Sequence, residues 1–177
     1  MGCPMLPAAV SSLLAAAPCV GFSGSRAPAP ASLAALGLVV AALPGGAPVL
    51  VGDAAGIDLR VRELVPAARV FTADQRTPQQ LVGRAIACVQ ACAASRGVWC
   101  AFPATTAPVA LRPSAAAAAC FAGYAAGTWS ALAFALGLGL AAVVYLPAGV
   151  VAPWPTLAPV GAGWFVAAPP AEQLTLF

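Results

Sequence analysis

Three short glycine-centred segments constrain this chain more than any other feature. They are Gly24-Ser25-Arg26, the Gly-Asp-Ala-Ala-Gly-Ile-Asp segment at 52–58, and Gly127-Thr128-Trp129-Ser130. Each follows or adjoins an apolar run of strand length, and the last two lead into helical patterns. A turn from a strand into a helix directs backbone N–H groups at one point, where an anion binds well, and glycine lets the backbone come close. The three segments therefore predict a phosphate- or nucleotide-sized site on an α/β sheet.

The rest of the chain alternates between strand and helix patterns. Apolar runs predict strands at 19–23, 48–51, 69–72, 98–102, 141–146 and, at a sheet edge, 164–167. Helices are predicted at 31–43, 57–65, 78–95 and 128–137, with a Thr77…Gln80 capping box on the third and Thr128 as the N-cap of the fourth. This alternation predicts an α/β fold with a doubly wound, mainly parallel sheet of five to six strands and helices on both faces. The long connection at 103–126 is typical of a lid.

Composition leaves a membrane protein open as an alternative. The chain is 62% hydrophobic and 7% charged, its mean hydropathy is +0.92, and no charged residue lies between Pro113 and Ala171. The stretch at 130–152 is long enough for a transmembrane helix. Alanine and glycine make up much of it, Gly137 and Gly139 interrupt it and Pro147 follows them, and no arginine cluster flanks it. We therefore favour a chain with no membrane span.

In an open parallel sheet, ligands bind beyond the carboxyl ends of the strands, where the three glycine segments would meet. Ser23, Ser25 and Arg26 are expected to hold a phosphate, and Asp53 or Asp58 to accept from a ribose or a base. Thr128 and Ser130 would add hydroxyl groups. The alternative is that these residues only cap helices and form turns. The predicted ligand-binding residues are Ser23, Gly24, Ser25, Arg26, Gly52, Asp53, Gly56, Asp58, Gly127, Thr128 and Ser130.

Several classes of chemistry are excluded by the residues that the chain lacks. Without histidine there is no Ser-His-Asp triad and no Cys-His pair, so no catalytic residue is predicted. The six cysteines show no CxxC spacing, so no metal site is predicted, and a reducing, cytoplasmic compartment fits them best. The net charge of +3 is too weak for nucleic-acid binding on electrostatics alone. No cofactor is predicted, and a nucleotide-type ligand is left open.

The glycine segments resemble the SLOG superfamily of Rossmann-like proteins. The resemblance rests on Gly24-Ser25-Arg26, on GDAAGID at 52–58 and on GTWSALAFALG at 127–137, and it covers roughly residues 18–148. Members include the DNA-processing protein A of natural transformation and the LOG-type nucleotide phosphoribohydrolases. The resemblance implies one Rossmann-like domain at 1–168, with its core at 18–148, that binds a nucleotide or nucleic acid at these loops.

Two departures from the family favour recognition over catalysis. LOG-type enzymes carry a PGGxGTxxE pattern, and Ala131 stands here at the position of its glutamate. The DNA-processing group usually has a histidine after its GID, whereas Leu59 follows Asp58 here. We therefore expect a binding protein, with a LOG-like N-glycosidase as the alternative.

The C-terminal tail at 169–177 carries a separate motif. Gln173, Leu174, Leu176 and Phe177 resemble the bacterial sliding-clamp-binding motif, a glutamine followed by Leu-x-Leu-Phe. The amide would hydrogen-bond and the apolar side chains would fill a pocket on the clamp. The alternative is a terminal strand that packs on the chain's own sheet. The expected partners are thus the sliding clamp and a nucleotide or single-stranded DNA, in DNA replication, repair or recombination, and a homo-oligomer is left open.

Overall fold

The computed structural model describes residues 5–123 and 127–169 and contains one seven-stranded sheet. Its strand order is β3-β2-β1-β4-β5-β7-β6, where β1 to β5 run parallel and β7 pairs antiparallel with both β5 and β6. The strands are β1 (Val20–Gly24), β2 (Val49–Gly52), β3 (Arg69–Phe71), β4 (Val98–Phe102), β5 (Ala141–Tyr145), β6 (Ala158–Gly161) and β7 (Trp164–Ala167). The α/β class is confirmed, and the order of the parallel strands is consistent with a Rossmann-like fold.

Helices cover both faces of this sheet. They are α1 (Ala8–Ala15), α2 (Pro30–Ala41), α3 (Ile57–Leu64), α4 (Pro78–Ala94), α5 (Ala117–Phe121) and α6 (Thr128–Gly137). Alternate residues of each central strand enter one of two cores. In β4, Cys100 packs with α1, α2 and α3, while Trp99 packs with α4, α5 and α6. The predicted doubly wound arrangement is therefore confirmed.

The antiparallel end of the sheet differs from the prediction. The sheet has seven strands instead of five to six, and β7 is not an edge strand, because β6 pairs with its outer side. Pro159 and Gly161 gave the β6 segment little strand character in the sequence. An outermost strand tolerates a proline because one of its sides makes no ladder hydrogen bonds.

Two predicted helix starts also need refinement. Thr77 Oγ1 accepts from Gln80 N at 3.3 Å, as predicted, but the Gln80 side chain accepts from Gln75 N at 2.6 Å rather than from the N-cap. Thr128 is not an N-cap: α6 begins at this residue, and Gly127 occupies the cap position without a side-chain bond.

The apolar stretch at 130–152 is divided between α6, strand β5 and the loop that follows. Within 5–123 and 127–169, no helix has both the length and the apolar character needed to cross a membrane. The tail motif at 173–177 lies outside the described residues, as do residues 124–126 of the predicted lid.

Candidate functional site

A cavity of about 510 Å³ opens where strand connections diverge, at the carboxyl ends of β1 and β4. From β1 the chain continues to β2 on one side, and from β4 it continues to β5 on the other. Such a switch point is where open α/β sheets bind ligands. We call this space the switch-point cavity. Its walls are the ends of β1 and β2, the start of α3, the middle of α4, the connection at 103–108 and the start of α6.

Two glycines hold the first two predicted segments against each other. A Cβ atom on Gly24 would lie 2.4 Å from Ile57 Cβ, so only glycine allows β1 to pass the start of α3. Gly56 has a φ of +72°, and a Cβ there would lie 2.2 Å from Ser25 O. Ile57 N donates to that same oxygen at 3.0 Å. These glycines therefore bring the loop after β1 and the first turn of α3 into direct contact.

The structure brings most of the predicted site residues together. Nine of the eleven line the switch-point cavity: Ser23, Gly24, Ser25, Arg26, Gly52, Asp58, Gly127, Thr128 and Ser130. Gly56 and Asp53 are outside the lining. Gly56 lies in the turn described above, against the backbone of Ser25 and Arg26.

Both carboxylate oxygens of Asp53 interact with other residues of the protein. Its Oδ1 accepts from Arg84 Nη1, its Oδ2 accepts from Ala73 N at 3.3 Å, and Arg76 lies 3.7 Å from Oδ2. Burial raises the pKa of Asp53, but the hydrogen bonds from Arg84 and Ala73 and the charges of both arginines outweigh it, so the pKa is lowered overall. Asp53 thus holds an arginine in place and lies outside the lining of the cavity.

The side chains of Ser23, Ser25 and Arg26 line the cavity, but they differ in whether they bond to other residues. Ser23 Oγ accepts from Trp99 Nε1 at 3.0 Å, and Ser25 Oγ accepts from Ala27 N at 3.0 Å. The Ser23 hydroxyl therefore links β1 to β4, and the Ser25 hydroxyl stabilises the loop after β1. Arg26 is exposed and, within the described part of the chain, forms no ion pair or hydrogen bond. Its guanidinium is available to an anion.

Asp58 is the carboxyl group of the lining, at 6% exposure. Burial raises its pKa to about 6, and the negative charge of Asp53 adds to this effect. Arg84, the Ala54 N–H group and Arg62 act in the opposite direction. A buried carboxyl with a shifted pKa that faces a cleft is a candidate functional group.

Sequence reasoning missed three contributors to the cavity. Arg84 of α4 lines it with a side chain that is only 7% exposed. It is the single charged residue of α4, and this feature of the sequence could have indicated that Arg84 has a role in the site. Trp99 and Trp129 also line the cavity, and Trp129 Nε1 donates to Thr105 O at 2.7 Å, which ties the 103–108 connection to α6.

Within residues 5–123 and 127–169, no three Cys, Asp or Glu side chains are grouped so that they could hold a metal ion. Cys88 lines the cavity, but burial raises the pKa of its thiol to about 12, so it is neutral at pH 7.

An apolar groove of about 760 Å³ lies next to the switch-point cavity. Leu81, Val82, Ile86 and Phe121 contribute to its walls, and Arg26 and Gly123 border both spaces.

We compared the chain with protein-family models, with curated proteins and with solved structures, and none of them matched it.

Proposed function

We propose that the switch-point cavity binds a nucleotide, either free or at the end of single-stranded DNA. The observation that carries this proposal is the meeting of all three glycine segments in one cavity at the switch point of the sheet. Nucleotide-binding α/β proteins use this position for their phosphate groups. The volume of about 510 Å³ also lies within the range of small-molecule sites, roughly 300–1,000 Å³.

The lining offers groups that suit a phosphate. Arg26 supplies a guanidinium that has no partner within the described part of the chain, and its fork of N–H donors matches phosphate oxygens. The first turn of the ten-residue helix α6 borders the cavity, and N-terminal N–H groups of a helix attract anions. The SLOG-like, Rossmann-like assignment forms part of this proposal and is supported by the 3-2-1-4-5 order of the parallel strands.

The test is a titration that follows tryptophan fluorescence, because Trp99 and Trp129 line the cavity. The probes are adenosine monophosphate and a 5′-phosphorylated oligothymidylate. Arg26→Ala should raise the Kd about tenfold or more, since a hydrogen bond to a charged group contributes about 1.5–3 kcal/mol. Arg60→Ala is the control, because Arg60 is half exposed on α3 and pairs with Glu63. If the wild type binds neither probe, the proposal is wrong.

We also propose that the tail at 173–177 docks on the bacterial sliding clamp, which would place the protein in DNA replication, repair or recombination. The support is the sequence match of Gln173, Leu174, Leu176 and Phe177 to the clamp-binding pattern. Deletion of 173–177 should abolish capture of the protein by immobilised clamp. Thr175→Ala changes only the variable position of the pattern and should leave capture intact. Equal capture of the full-length and shortened chains would refute docking through this tail.

A LOG-like N-glycosidase is the second candidate, and Asp58 is the observation that favours it. Asp58 is a buried carboxyl group with a raised pKa in the cavity wall. Against it, Ala131 lines the cavity at the position of the catalytic glutamate of LOG-type enzymes. Release of free adenine from adenosine monophosphate, lost in Asp58→Ala, would establish this activity. We expect no release from the wild type.

A further inference from the structure

The buried side chains of Arg84 and Asp58 lie near each other in the wall of the switch-point cavity. The Arg84 side chain is 7% exposed and Asp58 is 6% exposed. A Cβ atom on Gly52 would lie 2.6 Å from Asp58 Oδ2 and 3.4 Å from Arg84 Nε. Both side chains therefore pack against the same backbone position, and glycine at 52 leaves room for both.

Asp53 fixes Arg84 from outside the cavity. Asp53 Oδ1 accepts from Arg84 Nη1, while Ala73 N and Arg76 engage Oδ2 of the same carboxylate. A guanidinium has five N–H donors in a rigid plane, so one bond to Asp53 sets its orientation and leaves donors for a ligand. Burial also keeps water from screening this charge, which strengthens its attraction for an anion.

Asp58 would lie beside any anion that reaches Arg84. The charged and titratable groups that face Asp58 are Arg84 and Cys88 from α4, Arg62 from α3, and Asp53 from the loop after β2. The Ala54 N–H group donates to its carboxylate. Two negative charges in one buried site repel, so an incoming anion favours the protonated carboxyl, which can donate an O–H bond to the anion.

We propose that Arg84, oriented by Asp53, anchors a terminal phosphate monoester, and that Asp58 takes up a proton from solvent when this group binds. The inference rests on the nucleotide-binding function proposed above and narrows its ligand class. A monoester has three unesterified oxygens, which match three sets of donors: Arg84, the Asp58 O–H group, and Arg26 with the start of α6. An internal phosphodiester has one oxygen fewer for these donors.

The experiment is calorimetric titration of the whole protein with 5′-phosphorylated oligothymidylate and with the same oligomer lacking the phosphate. Each titration at pH 7 is repeated in two buffers of different ionisation enthalpy, which gives the number of protons taken up. The wild type should bind the phosphorylated probe more tightly and take up protons. Asp58→Asn should take up fewer protons than the wild type. Any protons gained or lost by the phosphate itself are common to both proteins and serve as the baseline.

Arg84→Gln should weaken binding of the phosphorylated probe roughly 10- to 100-fold and remove the preference for it. Arg60→Gln, on the outer side of α3, should match the wild type. If Arg84→Gln does not fold, Arg84→Lys keeps a cation beside Asp53 but loses the planar fork, and should bind about tenfold more weakly.

The two proposals fail in different ways. A wild type that binds neither oligomer nor adenosine monophosphate overturns the proposed function and this inference with it. Binding that the Arg84 variants leave unchanged, or equal proton uptake by the wild type and Asp58→Asn, overturns this inference alone.

Discussion

The Asp58→Asn substitution measures how strongly the folded protein disfavours a charged carboxylate in the cavity wall. The pKa of Asp58 is about 6 in the folded protein and 3.8 as the unperturbed value. The folded state therefore binds this proton more tightly than the unfolded state. The stability that the proton contributes is fully present in acid, and it is lost as the pH rises from 3.8 through about 6.

The size of the effect follows from the two pKa values. One pKa unit corresponds to about 1.36 kcal/mol, so a difference of about 2 makes ionised Asp58 cost the fold about 3 kcal/mol at neutral pH. About half of this cost is already present at pH 5, because the unfolded chain is ionised there. The free energy of unfolding of the wild type should thus fall by about 1.4 kcal/mol relative to Asp58→Asn between pH 5 and pH 8, mostly below pH 7.

Urea denaturation followed by tryptophan fluorescence, at one-unit steps from pH 5 to pH 8, gives this difference directly. The amide of the Asp58→Asn variant retains a carbonyl oxygen for the Ala54 N–H group, so the comparison isolates the charge. Asp74→Asn is the matched control, because Asp74 is exposed. A constant difference between the wild type and Asp58→Asn over this range would refute the reasoning.

Two further predictions concern packing and the buried ion pair. Gly137→Ala should destabilise the protein by at least about 2 kcal/mol, since its Cβ would lie 1.9 Å from the backbone C of Ser114. Gly37→Ala, with open space around it, should be neutral or stabilising by up to about 1 kcal/mol, and equal urea midpoints for the two variants would contradict this account. Asp53→Asn should cost about 3 kcal/mol in the same assay because it leaves Arg84 buried and unpaired. Glu63→Gln breaks a half-exposed pair and should cost less than about 1 kcal/mol, so similar losses would show that burial of Arg84 is unimportant.

The central strands and most helices were predictable because local patterns mark them. Apolar runs that end in glycine or proline delimit β1, β2 and β4, and the alternating apolar and charged positions of α3 indicate a helix buried on one side. Helix α1 was not predicted, because its sequence lacks a charged face. Strand β6 was missed because its pairing with β7, rather than its own composition, makes it a strand.

The site was predictable only where the backbone carries it. Glycine marks a close approach in the sequence itself, so the loops around Gly24 and Gly127 could be assigned to one edge of the sheet. Arg84 could not be assigned to the site from the sequence, because its role depends on a carboxylate 31 positions away in the chain. The same pairing explains why Asp53, a candidate ligand contact from sequence, is engaged by protein groups in the structure.

The proton on Asp58 separates the two candidate functions. Recognition of a phosphate beside Arg84 requires the protonated carboxyl, which donates a hydrogen bond to the anion. A carboxyl group that activates water as a general base requires the ionised form. With a pKa of about 6, roughly one Asp58 in ten is protonated at pH 7 in the free protein, so ligand binding can shift this balance substantially. Proton uptake without release of free base therefore favours recognition. Release of free base without proton uptake would instead favour an N-glycosidase that works without the glutamate that LOG-type enzymes carry at the position of Ala131.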